Sequence, residues 1–386
     1  MIPYPSRVTV YFAVAALVGL ASALSVLASN FSLKTDASTR QPLRSTVRSA
    51  RPTSRWTVFD VLTVAVMVSF SALRYRVGTD FGIYYTLYNT LDPAHWREAL
   101  ASSPQDAGFT GLSLILRSMS DSPYLIFWVA SALTIIPVYV TIKKQSVDPT
   151  MSLLLYVLLA FFVAPFNLMR QGIAISLNFW ADSYLDHNKK WYLVINAVAA
   201  AIHTSVLLVI VAQFMARRWR PSMKLLASVA VVGMVAVVLH TRISVLAVWL
   251  NDLNPRYAGY VVDQQVAGVG TYLIIASRIG LLLYALTLAR RSTAEGSTRR
   301  YATYVTFGLF FLFLGTQSVV ISRLELYFGI FLVLLIPNSL GARRAQHSLG
   351  ARRAQLDKTA IVALSAVYFG FFLNSYSNLL PYHARL

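Results

Sequence analysis

The sequence predicts an all-α, polytopic helical membrane protein, and three observations predict it. Apolar stretches of about 20 residues, the length that crosses roughly 30 Å of hydrocarbon, recur along the whole chain. The 386 residues are 56% hydrophobic and only 13% charged, a balance outside the range of ordinary soluble domains. Basic residues collect in the links between the apolar stretches, as expected where short positive loops stay on the cytoplasmic side.

The expected spans are 8–29, 56–73, 123–142, 150–168, 171–186, 222–240, 270–289, 301–320, 324–340 and 359–376. With an ambiguous segment at 191–216 they make about ten or eleven. The first, Val8 to Ala28, ends in Ala28-Ser29-Asn30 without a convincing small-residue cleavage motif and reads as a retained membrane helix. The links 32–55, 143–149, 187–190, 217–224, 290–300 and 341–358 hold 23 of the 34 basic residues. Placing them in the cytoplasm puts the N-terminus outside and makes 74–122 and 241–269 the two large external segments. The first of these carries four Arg against five acidic residues, so nothing in it argues for the cytoplasm.

Segment 191–216 resists that assignment, because Lys189-Lys190 and Arg217-Arg218 both ask to be cytoplasmic with one apolar stretch between them. A re-entrant hairpin with its tip near His203-Thr204-Ser205 reconciles them, provided protein or water surrounds the broken backbone. A plain spanning helix with misplaced charges is the alternative. The net charge of +19 does not point to nucleic acid, since the basic residues are dispersed instead of gathered on one face. No cysteine is present, which removes disulfides, thiolate metal sites and thiol nucleophiles. The basic link 341–358 overlaps a tandem copy, Ser339-Leu-Gly-Ala-Arg-Arg-Ala-Gln and Ser348-Leu-Gly-Ala-Arg-Arg-Ala-Gln, to which no chemistry is assigned.

Ionisable groups at membrane depth are costly, so each needs a cavity or a partner. Five places qualify: the block from Arg74 and Arg76 to Asp80, then Arg170-Gln171, His203, Arg278, and Arg323-Leu324-Glu325. In the topology above they could converge on one outward-facing pocket. Arg is suited to planar, bidentate contacts with phosphate oxygens, so Arg74, Arg76, Arg170, Arg278 and Arg323, with Gln171 and Glu325, are candidate binders of a phosphorylated, lipid-borne ligand. The alternative is that Arg74 and Arg76 snorkel to the interface and Arg323 pairs with Glu325. Arg170, Ala174, Asn178 and Asp182 recur every four residues and predict a helix face turned to the bundle, with Asp182 pairing Lys189 or Lys190. Asp60 is expected to favour the start of its helix through the helix dipole. Asp80, ahead of Phe81, Tyr84, Tyr85 and Tyr88, could serve as a base or bind sugar hydroxyls beside aromatic faces, or form an Asx-type turn. His203 is the other candidate base.

The stretches Leu73-Arg-Tyr-Arg-Val-Gly-Thr-Asp80, Asn167-Leu-Met-Arg-Gln-Gly-Ile-Ala174, Ala201-Ile-His-Thr-Ser205 and Ser322-Arg-Leu-Glu-Leu-Tyr-Phe328 resemble, in type and order, the EpsG family, which belongs with the Wzy-like polysaccharide polymerases. The resemblance implies polymerisation of exopolysaccharide or capsule repeat units, carried on undecaprenyl diphosphate, at the outer face of the bacterial cytoplasmic membrane. The implied partners are the lipid-linked oligosaccharide, the surrounding lipids, and a chain-length regulator or export proteins. Diphosphate held by Arg makes a metal or other cofactor dispensable, and no His/Asp/Glu cluster at ligand spacing appears in the external segments. Asp80 and His203 both remain candidates for the base, with the lean to His203. Other readings are a glycan ligase or another lipid-linked-sugar glycosyltransferase, separable by product chain length, and a flippase, which should show two similar halves with broken helices. No such internal repeat is visible.

Overall fold

The computed structural model describes residues 8–38, 56–216, 269–289, 296–316, 319–344, 348–375 and 378–385, with Ser228, Val231 and Val235 as isolated points. The expected span 222–240, nearly all of segment 241–269 and most of the basic link 32–55 lie outside the described residues. Within them the chain is helical and holds no strand, and it is a multi-pass membrane protein. Five segments are long and apolar enough to cross a bilayer: Thr9–Asn30, Tyr124–Gln145, Gly270–Leu288, Val320–Ala342 and Ala351–Ser375. Shorter apolar helices are Val58–Ala72, Pro149–Leu158 and Val206–Ala216.

The chain divides into two compact units, Met1–Val206 with Gln355–Leu386, and Leu207–Ala354. In the first, α1 (Thr9–Ser38) and α2 (Val58–Ala72) pack together, and α2 also packs on α6 (Tyr124–Gln145). Asp60 ties all three. It forms a capping box with Thr57, accepts from Ser25 Oγ at 2.7 Å and from the Tyr139 hydroxyl at 2.5 Å, and pairs with Lys143. The helix-dipole reading of Asp60 therefore gains a set of specific donors from other helices, which a buried carboxylate requires.

Between α2 and α6 the segment 74–122 folds into α3 (Phe81–Thr90), α4 (Trp96–Ser102) and α5 (Ala107–Met119). The chain continues through α7 (Pro149–Leu158), α8 (Met169–Ala181) and α9 (Lys189–Ile202), and α10 (Val206–Ala216) leads into the second unit. The single span expected at 150–168 is corrected here. Helix α7 stops at Leu158, and the backbone runs irregularly to Leu168 before α8 begins. Ala160 adopts φ +67° and Pro165 supplies no N–H, so the helix cannot carry through. Local bonds such as Ala164 N to Ala160 O and Phe166 N to Val163 O, 3.0 Å each, satisfy this buried stretch.

Helix α8 packs on α6 and α9 with its polar stripe inward: Ala174, Asn178 and Asp182 are buried, and Asn178 Nδ2 donates to Asn196 Oδ1 at 2.8 Å. Between α9 and α10 the helix breaks at His203, whose backbone is extended at φ −156°, ψ 112°. The break falls where the sequence suggests a hairpin tip. Neither half alone reaches the span of a bilayer at 1.5 Å per residue.

The C-terminal residues 378–385 form a strap over the loop that follows α2. Tyr75 N donates to His383 O and Arg385 N to Leu73 O, both at 2.8 Å, and Gly78 N donates to Asn378 O at 2.7 Å. Tyr382 stacks on Phe70 at 4.2 Å and its hydroxyl donates to Phe70 O. In the second unit, α11 (Val269–Ala289), α12 (Gly296–Leu314) and α13 (Leu332–Arg344) pack on one another, with short turns Val319–Ser322 and Glu325–Gly329 preceding α13. The basic link 341–358 is largely helical: α13 reaches Arg344 and the last helix begins at Ser348.

Candidate active site

Two of the motif stretches meet directly. Gly78 has φ +91°, and a Cβ there would lie 2.2 Å from Phe166 O, so only glycine fits. Next to it Thr79 N donates to Asn167 Oδ1 at 2.7 Å. The irregular stretch before α8 thus receives the loop after α2.

That loop turns its two arginines in opposite directions. Arg74 is buried, its guanidinium 4.6 Å from the Phe166 ring centroid and 5.2 Å from that of Phe127, with Nη1 bonded to the carbonyl of Ser71 and, at 3.3 Å, to its hydroxyl. The guanidinium is enclosed by protein on these sides. Arg76 is exposed, with φ +53° and its guanidinium over Tyr75. Asp80, half-buried, heads α3 and accepts from Thr79 Oγ1 at 3.2 Å.

Asp106 is the group on which the site converges. Its Oδ2 accepts from Arg170 Nη1 at 3.1 Å and lies 3.2 Å from His203 Nδ1. Asp106 is the N-cap of α5, yet its side chain makes no capping bond to that helix. A carboxylate in this position usually caps its own helix. Here it is turned to the histidine and the arginine instead. Burial pushes the Asp106 carboxyl up, but the hydrogen bond and charge of His203, the charge of Arg170 and a bond from Thr204 outweigh it and hold the group below the usual carboxylate range. Arg170 and His203 side chains are each 25% exposed, so both can meet a ligand. Arg170 Nε also donates to the Tyr84 hydroxyl at 3.4 Å, which links α8 to α3. Gln171, beside Arg170, is buried.

Local packing sets this geometry. A Cβ at Gly108 would sit 2.5 Å from Ala201 O, so α5 touches the end of α9 two residues before His203. Gly108→Ala should force these helices apart and separate Asp106 from His203. We expect turnover per folded molecule to fall at least about ten-fold, the factor that about 1.4 kcal/mol of lost positioning represents, while membrane insertion persists. Turnover within two-fold of wild type would show that close approach is not needed.

Arg278, Arg323 and Glu325 belong to the second unit. Arg278 Nε donates to Glu325 Oε1 at 2.8 Å, and both side chains are 3% exposed. Glu325 therefore pairs with Arg278, and Arg323 is half-exposed. Gly329 makes the room, since a Cβ there would meet Glu325 Oε1 at 2.0 Å.

Sequence reasoning missed Asp106 and the role of Tyr84. Asp106 is one of five acidic residues in 74–122, and only Gly108, two positions on, hinted at a close approach. Across the chain, the sequence model of the EpsG family matches residues 57–384. No curated protein and no solved structure matches.

Proposed function

Since the chain belongs to the EpsG family of Wzy-like polysaccharide polymerases over residues 57–384, we propose that it joins polyprenyl-diphosphate-linked oligosaccharide repeat units into exopolysaccharide or capsule at the outer face of the bacterial cytoplasmic membrane. The observation that carries this reading is the shared Asp106 carboxylate between His203 and Arg170. With a proton on Nδ1 the ring donates to Asp106, and Nε2 holds the lone pair. The acceptor hydroxyl oxygen attacks the anomeric carbon of the donor unit, His203 Nε2 takes the hydroxyl proton, and the bond from that carbon to the diphosphate oxygen breaks. Asp106 stabilises the imidazolium as it forms. Arg170, already oriented by Asp106 and Tyr84, holds the diphosphate as negative charge develops on it. A single displacement of this kind inverts the anomeric configuration.

Arg170 replaces the full set of arginines as the principal diphosphate ligand in this reading, because Arg74 and Arg278 are committed to partners inside their own units. The test is incubation of purified protein with lipid-linked repeat units. A ladder of products spaced by one repeat is expected. Arg170→Lys keeps the charge but loses the planar fork and should lower ladder yield by about ten-fold or more. A single transfer without a ladder points to a ligase, and no transfer at all defeats the reading.

A further inference from the structure

Aromatic rings around the Arg74–Asp80 loop divide by position. Phe81, Tyr84 and Tyr88, offered by the sequence as sugar-stacking faces, are 4%, 5% and 1% exposed and point inward. Three tyrosine rings, Tyr75, Tyr85 and Tyr124, reach the surface. They are joined into one assembly. Tyr75 meets Phe81 edge-on at 5.8 Å, Phe81 stacks on Tyr85 at 6.0 Å and on buried Phe127 at 4.6 Å, and Tyr85 meets Tyr124 edge-on at 5.8 Å. Arg385, brought in by the C-terminal strap, lies with its guanidinium 3.7 Å from the Tyr124 ring centroid.

We propose that Tyr75, Tyr85, Tyr124 and Arg385 form a glycan subsite that takes a pyranose ring of the repeat unit; its place in catalysis rests on the polymerase reading above. Phe81 and Phe127 back these rings from inside, and Tyr75, Tyr85 and Tyr124 each offer an apolar face and a hydroxyl together. A pyranose has the complementary surface, with C–H faces and a rim of hydroxyls. Tyr also presents this area at low conformational cost. Arg385, its guanidinium over Tyr124, brings to the same place a planar N–H fork suited to hydroxyl or carboxylate oxygens of a sugar.

The assembly is preorganised as well. Tyr75 and Arg385 are held by two backbone bonds in one clip, Tyr75 N to His383 O and Arg385 N to Leu73 O. A belt of interfacial aromatics needs no such cross-linking. Helix α3 connects the assembly to the reacting groups. Tyr84 and Tyr85 are consecutive on it and point about 100° apart, so the Tyr84 hydroxyl takes Arg170 while Tyr85 takes the surface.

The test titrates the purified full chain with the soluble oligosaccharide released by mild acid from the lipid-linked pool of producing cells, read by calorimetry. Binding to wild type is expected. Tyr85→Ala, Tyr124→Ala and Arg385→Ala should each weaken it about five-fold or more, the threshold for a residue that matters to an interface. Tyr124→Phe keeps the ring and should lose less than Tyr124→Ala, which guards against a folding defect being read as lost binding. Farnesyl diphosphate, a sugar-free probe for the lipid diphosphate, should bind all these variants as it binds wild type. Absence of oligosaccharide binding to wild type, unchanged affinity in the Ala variants, or a loss confined to retention on vesicles would each overturn the subsite. Oligosaccharide binding without a product ladder would leave the subsite standing and remove the polymerase reading instead.

Discussion

His203→Ala should abolish polymer formation per folded molecule while leaving binding of the lipid-linked substrate within a small factor. A general base contributes roughly a hundred- to ten-thousand-fold in rate, and His203 is the group here whose second ring nitrogen is oriented for that work by a carboxylate 3.2 Å from the first. Asp106→Asn should also be severely impaired, because an amide can stabilise the wrong tautomer and cannot balance the imidazolium. Asp80→Asn should retain most activity, since Asp80 heads α3 and accepts from its neighbour Thr79. The pH dependence follows from the lowered Asp106 carboxyl. Its interaction with His203 and Arg170 is complete above the usual carboxylate value of about 4 and is lost only as pH falls through the lowered folded-state value. Asp106 should therefore cause no loss of activity or stability between neutral pH and that range. The deciding measurement is turnover per folded molecule for His203→Ala and His203→Gln beside Asp106→Asn and Asp80→Asn. Near-normal turnover in both His203 variants with an inactive Asp80→Asn would move the base to Asp80.

Loss of the Arg278–Glu325 pair should cost stability before it costs chemistry. Both side chains are 3% exposed, and removing one leaves the other as a charge buried without its counter-ion. Such a break costs about 3–5 kcal/mol, a large share of a typical folding free energy. Arg278→Met and Glu325→Leu alone should each lower the melting temperature steeply in detergent. The double variant should recover much of the loss, because two apolar side chains of similar volume can replace a buried pair at little net cost. Arg278→Lys tests the alternative of Arg278 as a diphosphate ligand. If it melts like wild type but loses the product ladder, Arg278 acts on substrate; if melting and ladder fall together, the pair is a structural tie within the second unit.

Membrane-spanning helices were legible in the sequence because apolar length and the placement of basic residues are properties of the chain taken one segment at a time. The break at His203 was legible for a related reason: Lys189-Lys190 and Arg217-Arg218 set conflicting demands on a single stretch. The end of α7 was not, since Leu159, Phe161, Phe162 and Val163 are as apolar as a helix would be and hide the left-handed Ala160 among them. Partnerships were the province of tertiary structure. Asp106 and His203 lie 97 residues apart, Glu325 takes Arg278 from 47 residues away, and Arg74 turns in beneath Phe166. A buried charge takes its partner from whichever elements pack against it, and helix packing depends on the shapes of side chains distant in sequence. The residue types could therefore state that arginines, carboxylates and a histidine stood at costly positions, but only the packed helices decided which of them face one another and which are buried inside.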